Sequence, residues 1–524
     1  MRMCLKYLFF ITLISNNLFA QTKNFGYINP VIAGMNPDPS VCRVGEDYYA
    51  VTSTFQWFPG VPVYHSKDLV HWELIGYSLH MKSQLNLEKG SGIYAPVIRY
   101  NNGVFYMVTT NRRNGENFYV TAKNPAGPWS NPVWVSQEGI DPSLMFDEDG
   151  KVYFTCTHPD GILQREIDIG SGTFLTEPKI IWSGTGGRYP EGPHLYKISN
   201  VYYLMISEGG TEYGHQVVIA RSNNPWGPFE NNPDNPILTH RNKNAQSNII
   251  QGVGHADLVQ AHDGSWWTLF LGFRQKGSHH HTGRETFLAP VAWLGNGWPL
   301  INSTGTVELK MNVATLLQYK YPSVDKRCAF DAEALPLEWN FIKNPDSSAY
   351  SLTNRKGWLR LKGGSGTLVD NKQVTFTGKR QTDLVFSAET LLDFNPSGQN
   401  EEAGLSVYHR NNGHYDLFVR KEKNERFIVL RYTIGSLIHE QQKIKLTNGS
   451  VFLRAEGIAE KYNFSFSQDG KQYRNMGNMD SRLISSETLG GFVGVYIGLY
   501  ATGNGKHSLS NADFDWFEYE GKDK

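Results

Sequence analysis

From about residue 38 to residue 300 the apolar positions fall in short runs, roughly four to eight long, cut off by Gly, Pro, Asn or Asp. They do not repeat at helical spacing, so the segment reads as strands and tight turns. One pattern returns. "DPSVCRVGEDYYAV" (38–51) is followed by "APVIRYNNGVFYMV" (95–108), "DPSLMFDEDGKVYFTC" (141–156), "EGPHLYKISNVYYLM" (191–205) and "ADLVQAHDGSWWTLF" (256–270). Each copy has a polar or proline corner, a few apolar residues, a turn, and a strand led by aromatic residues, which is a β-hairpin signature. A second element, "YHSKDLVHWE" (64–73), "TAKNPAGPWS" (121–130) and "ARSNNPWGPFE" (220–230), closes the intervals with a turn and an aromatic. Strand repeats about every 50 residues predict a β-propeller of four-stranded blades, and five copies predict five blades.

Beyond about Phe330 the repeat stops. Alternating segments such as "GWLRLKG", "AGLSVYHR", "YDLFVRKE", "FIVLRYTI" and "YNFSFSQDG" follow, separated by turn residues, and predict an antiparallel β-sandwich. The expected fold class is all-β: a signal peptide over 1–20, a propeller over 21–322 and a sandwich over 323–524. The leader is read from "MRMCLKYLFFITLISNNLFA", a basic start and an apolar run too short to span a bilayer. Export, to the periplasm or the medium, is the expected localisation, without membrane insertion after cleavage.

Composition adds little to the fold and more to the partner. Lys+Arg and Asp+Glu are both 50, a zero formal charge that argues against a nucleic-acid partner. The 13 Trp, 27 Tyr and 28 Phe suit packing against sugar faces. Cys42, Cys156 and Cys328 remain after the leader, allow one disulfide at most, and form no metal-binding cluster.

In a propeller the first strands line the axis and their starts gather at one mouth. Matching positions in the repeats hold Asp38, Tyr94 with Ala95, Asp141, Glu191, and His255 to Asp257. Asp38 stands between Pro37 and Pro39, a corner expected to be stiff and extended. Taken singly, Asp38 or Asp141 is an ordinary turn residue. Three carboxylates from three blades at one opening are costly and shift each other's titration, so function explains them better than folding. Glycoside hydrolysis needs such a set: an acid that stays protonated and a carboxylate that activates water or attacks carbon.

The motifs "NPDPSVCRVGEDYY", "STFQWFPGVPVYHSKDLVHW", "GIDPSLMFDEDGKVYF", "RYPEGPHLYK" and "GHADLVQAHDGSWWTLFLGFR", with "GRETFLAP" beyond, resemble glycoside hydrolase family 43. The resemblance is to its two-domain β-xylosidases and α-L-arabinofuranosidases and covers nearly the whole mature chain. It implies a five-bladed propeller with a C-terminal concanavalin-like sandwich, and hydrolysis with inversion. It casts Asp38 as general base, Glu191 as general acid, and Asp141 as the residue that raises and orients the acid. Base and acid carboxyls would then stand roughly 6.5–9.5 Å apart. It further implies substrate contacts from Arg284, His255, Phe55 and Tyr94, the last replacing a tryptophan common in the family. No cofactor is implied. No metal ligand is assigned, and a structural cation near His255 stays open.

The partner expected is an oligosaccharide. The function expected is exo-acting release of terminal α-L-arabinofuranosyl and/or β-D-xylosyl residues from hemicellulose fragments such as those of xylan or xyloglucan. β-Xylosidase as the main activity, an endo-arabinanase, and a non-catalytic sugar-binding propeller are the alternatives. A sandwich loop is expected to cap the mouth. The stretch "GGFVGVYIGLYATGNG" (490–505) is the candidate, although it reads equally as a buried strand with a hairpin tip. The run His279–His281 reads as a loop near the mouth.

Overall fold

The computed structural model describes residues 23–87, 92–111, 116–244, 247–319, 321, 325–370, 372–458 and 460–523. The leader at 1–20 and the boundary at 322–323 lie outside these residues. Five antiparallel sheets follow one another in sequence order, each opening on one of the repeated hairpins. Blade 1 runs through Ser40–Val44, Asp47–Val51, Gly60–Ser66 and Glu73–Leu79. The innermost strands of blades 2 to 5 are Ile93–Asn101, Ile140–Phe146, Glu191–Ile198 and Ile250–Gln260. Blades 3 and 4 carry a split outer edge, two short strands beside the third. Ile250–Gln260 is buried along its length up to Gln260, because an inner strand is covered by its neighbours on both faces.

The ring is tied where its two ends meet. Lys23–Ile28 pairs antiparallel with Lys310–Leu317. Just beyond it, the Asn29 side chain donates to Leu288 O at 3.0 Å and accepts from Leu288 N at 2.9 Å, fixing the segment to blade 5.

The C-terminal part is a sandwich of two eight-stranded sheets. Its strands alternate as a half-covered sheet should: Phe386–Asp393 and Val451–Ile458 bury every second side chain. One sheet ends in a strand the sequence reading placed in the propeller. Trp57–Phe58 leaves blade 1 and pairs with Asn340–Ile342 at the sheet edge. Trp57 is fully buried and stacks on Tyr496 with ring centroids 3.5 Å apart. Met35 and Phe55 join the same apolar cluster as Phe376, Tyr408 and Tyr500, so the two parts share a core rather than a linker.

Candidate active site

The repeat sets the backbone at the mouth. Asp38, just before its strand, Ala95, Asp141 and Gly192, near the starts of theirs, and His255, midway along Ile250–Gln260, hold corresponding positions of the five inner strands, and all have positive φ: 53°, 38°, 53°, 60° and 48°. In blades 2 to 5 these residues fall within a skip of the ladder register, as in β-bulges. A bulge re-aims the side chains around it. Asp38 is likewise left-handed, not extended: Ser53 N donates to Pro37 O at 2.9 Å while Ser40 pairs with Val51, so Asp38 and Pro39 face Thr52 alone, and this two-to-one step outweighs the bias that the following proline imposes.

The alignment also refines the repeat. Asp38 and Asp141 occupy the left-handed position, whereas in blade 4 that position is Gly192 and Glu191 precedes it. Glycine is required there, since a Cβ would stand 2.8 Å from the His255 ring at φ +60°. Asp257, grouped with His255 in the sequence, belongs elsewhere. It pairs with Arg99 at 2.8 Å and accepts from Ser40 Oγ, Val41 N and Tyr196 Oη, joining blades 1, 2, 4 and 5.

Asp38 is buried and held from two sides. Arg284 Nη1 donates to Oδ1 at 2.8 Å and Ser53 Oγ donates to Oδ2 at 2.6 Å. Burial alone would push this carboxyl up, but the Arg284 and His255 charges and the Ser53 bond hold it below the usual carboxylate range. Ser53 in turn accepts from Ala95 N at 2.7 Å, so the clamp reaches blade 2. Arg284 also donates to Thr211 Oγ1 at 2.9 Å.

Asp141 is the electrostatic opposite. Burial, then the neighbouring Glu191 and Asp38 carboxylates, push it well above the usual range, and the Gly192 N–H, 3.2 Å away, donates to it. That bond ties Asp141 to the residue after Glu191. Glu191 is more open than either aspartate, and His215 Nε2 lies 3.2 Å from its Oε1, near enough for an ion pair but out of hydrogen-bond alignment. The His215 ring packs on Gly254, where a Cβ would approach to 2.2 Å. His255 is buried, its titration pushed down by burial, with Nδ1 4.0 Å from Asp38 Oδ1 and its backbone N–H on Ser207 Oγ at 2.6 Å. Among the described residues no group of three or more His, Cys, Asp and Glu is placed to hold a metal ion.

An aromatic wall stands beside the carboxylates. Phe55 is both core and wall: it lies in the interdomain cluster, its ring is 4.7 Å from Tyr94, and Arg284 Cζ sits 5.5 Å from its centroid. Phe492 comes in from the sandwich. It stacks on Phe55 at 6.3 Å and lies 5.3 Å from Arg284 Cζ. The 490–505 stretch thus serves both readings: its start caps the mouth, and Tyr496–Thr502 is a fully buried strand. Of the histidine run, His280 bonds Glu487 of the sandwich and His281 is buried.

Ser53, Thr211, His215 and Phe492 were not singled out in the sequence. Only His215 carries a residue-type signal; the others reach the site through contacts between segments far apart in the chain.

The residues resembling family 43 therefore converge, with one carboxylate stabilised as the anion and another pressed toward the protonated form beside a third. The family description "Glycosyl hydrolases family 43" matches residues 27–299, and "Beta xylosidase C-terminal Concanavalin A-like domain" matches residues 327–520. The chain is 45% identical over 502 residues to the non-reducing end α-L-arabinofuranosidase BoGH43B of Bacteroides ovatus, covering 94% of each. It is 38% identical over 517 residues to a xylosidase/arabinosidase of Butyrivibrio fibrisolvens, covering 94% of this chain and 99% of that protein. The solved structure described as Bacteroides ovatus xyloglucan PUL GH43B superposes with a TM-score of 0.92 at 43% identity, over 95% of this chain and all of that one. By sequence, architecture and the placing of its three mouth carboxylates, the chain belongs to glycoside hydrolase family 43.

Proposed function

We propose that this glycosidase is exo-acting and inverting, and releases terminal α-L-arabinofuranosyl residues from hemicellulose oligosaccharides such as xylan or xyloglucan fragments, with β-D-xylosyl release as a second activity. The observation that carries the mechanism is the contrast between Asp38, held as an anion by Arg284 and Ser53, and the Asp141–Glu191 pair. Asp38 takes a proton from water as the water oxygen attacks the anomeric carbon. The glycosidic C–O bond breaks on the opposite face, and Glu191 protonates the departing oxygen. Asp141, bonded to Gly192 N, fixes the Glu191 backbone and sets its own carboxyl beside the acid.

Relatives named for arabinofuranosidase and for xylosidase/arabinosidase activity support the two sugars in that order. Phe492 over the mouth favours a pocket for chain ends over the open cleft of an endo-acting enzyme. The apolar leader read at 1–20 supports export, where such oligosaccharides are met.

The test is release of nitrophenol from the α-L-arabinofuranoside and the β-D-xyloside, with the first-formed sugar followed by NMR. Appearance of the anomer opposite to the substrate's supports inversion. Retention overturns the roles of base and acid, and no turnover of either glycoside overturns the exo-pentosidase reading.

A further inference from the structure

Phe492 does not lie in the sugar site unaided. The sandwich segment that carries it begins with a one-turn helix, Ser486–Leu489, and continues through Gly490 and Gly491, at φ 70° and 89°. Two left-handed glycines give this stretch little stiffness of its own. It is tied down on either side of Phe492. On the C-terminal side, Val495 N donates to His281 O at 2.8 Å, and Gly494 packs so tightly that a Cβ would stand 2.3 Å from Thr282 O.

On the N-terminal side Arg410 of the sandwich donates to Leu489 O and Gly490 O, both at 3.0 Å, and the tie to the propeller is the Glu487 carboxylate. Glu487 accepts from the His280 backbone N–H at 3.0 Å, meets His280 Nδ1 at 2.6 Å, and accepts from Tyr213 Oη at 3.3 Å. The His280 ring is held flat against Phe273, with centroids 4.1 Å apart. Both propeller loops reached by Glu487 also supply the site. The loop of His280 runs on to Arg284, which grips Asp38, and the loop of Tyr213 holds Thr211, which Arg284 also touches.

We infer that Glu487 is a positioning residue: by docking on His280 and Tyr213 it holds Phe492 over Arg284 and Phe55, and so sets how firmly the terminal sugar is bound. It touches no reacting atom. Its effect runs through Phe492, on a loop whose other backbone tie to the propeller, at Val495, lies beyond the side chain that matters. The inference rests on the reading of this mouth as the sugar site.

The experiment compares Glu487→Ala, Glu487→Gln, Phe492→Ala and the Glu487→Ala/Phe492→Ala double variant in the full chain. Glu487→Ala is expected to raise KM for the aryl α-L-arabinofuranoside roughly tenfold, with kcat within about twofold. Phe492→Ala should do the same, and the double variant should be no worse than Phe492→Ala alone, because both remove one function. Glu487→Gln keeps an acceptor for His280 N and should fall between wild type and Glu487→Ala.

Multiplying effects in the double variant, or a fall in kcat at unchanged KM, would overturn the inference. Hydrogen exchange of the peptide 489–495 is read in parallel. It should quicken in Glu487→Ala while the rest of the sandwich keeps its protection, and unchanged exchange overturns the clamp. Should the wild type cleave neither glycoside, the exchange result still decides the clamp, while the proposed activity fails separately.

Discussion

Ser53 Oγ and Asp38 Oδ2 are 2.6 Å apart, and the same hydroxyl accepts the Ala95 amide from the next blade at 2.7 Å. The anion proposed as base is thereby referenced to the backbone of two blades at once. A hydrogen bond to a charged group contributes about 1.5–3 kcal/mol. Ser53→Ala should move the acidic limb of the kcat/KM profile toward neutral pH, and Arg284→Ala should move it further. An acidic limb left where it is in both variants would remove Asp38 from the role of base.

Asp38 also has a stability consequence. Its folded titration lies below the unfolded value, so its ionised form stabilises the fold above about pH 4 and that contribution fades as pH falls through the lower folded value. Asp38→Asn should lower Tm at neutral pH, because Arg284 is left buried beside a neutral amide. The deficit against wild type should shrink in acid, as followed by calorimetry from pH 7 downward.

Asp141 carries the opposite sign. Its folded titration is raised, so native stability falls as pH climbs from about 4 through the raised value, where the buried carboxyl must ionise. Asp141→Asn removes that cost while keeping an acceptor for Gly192 N. Tm at neutral pH should rise by a few degrees, roughly. Activity should fall about 10²–10⁴-fold. A variant both less active and less stable at neutral pH would contradict this account.

Glu191 as acid predicts a dependence on the leaving group. Glu191→Ala should lose roughly 10²–10⁴-fold on natural disaccharides and much less on dinitrophenyl glycosides, which depart without protonation. Equal losses on both would assign Glu191 another task.

The shared core predicts mechanical unity. Trp57→Ala opens a cavity between Tyr496 and the blade 1 segment and should cost about 3–5 kcal/mol. Unfolding should then split into two calorimetric transitions where the wild type shows one.

Much of this architecture was legible because the propeller repeats its hairpin, and repetition survives in the spacing of turns and aromatic pairs. The repeat also exposed Asp38 and Asp141, which sit at one position of it. It blurred Glu191, one residue earlier than its counterparts, because a bulge shifts side chains without shifting the pattern of apolar residues. Trp57 read as part of blade 1, since nothing in "TFQWFP" announces a partner near residue 341. Ser53 was illegible for the same reason, and Phe492 was legible only as part of the stretch 490–505: their meaning lies in what faces them across the fold, and periodicity records only neighbours in the chain.

The strand Trp57–Phe58 has a bearing on the order of events at the ribosome. Its partner, Asn340–Ile342, emerges some 285 residues later, and Lys23–Ile28 must likewise await Lys310–Leu317. At about 5–20 residues per second, an apolar edge in the first blade stays unmatched for roughly 15 to 60 s of synthesis. A nascent chain stalled before residue 340 should present Trp57 to chaperones, to proteases or to a second copy, and release of the last 190 or so residues is what withdraws it.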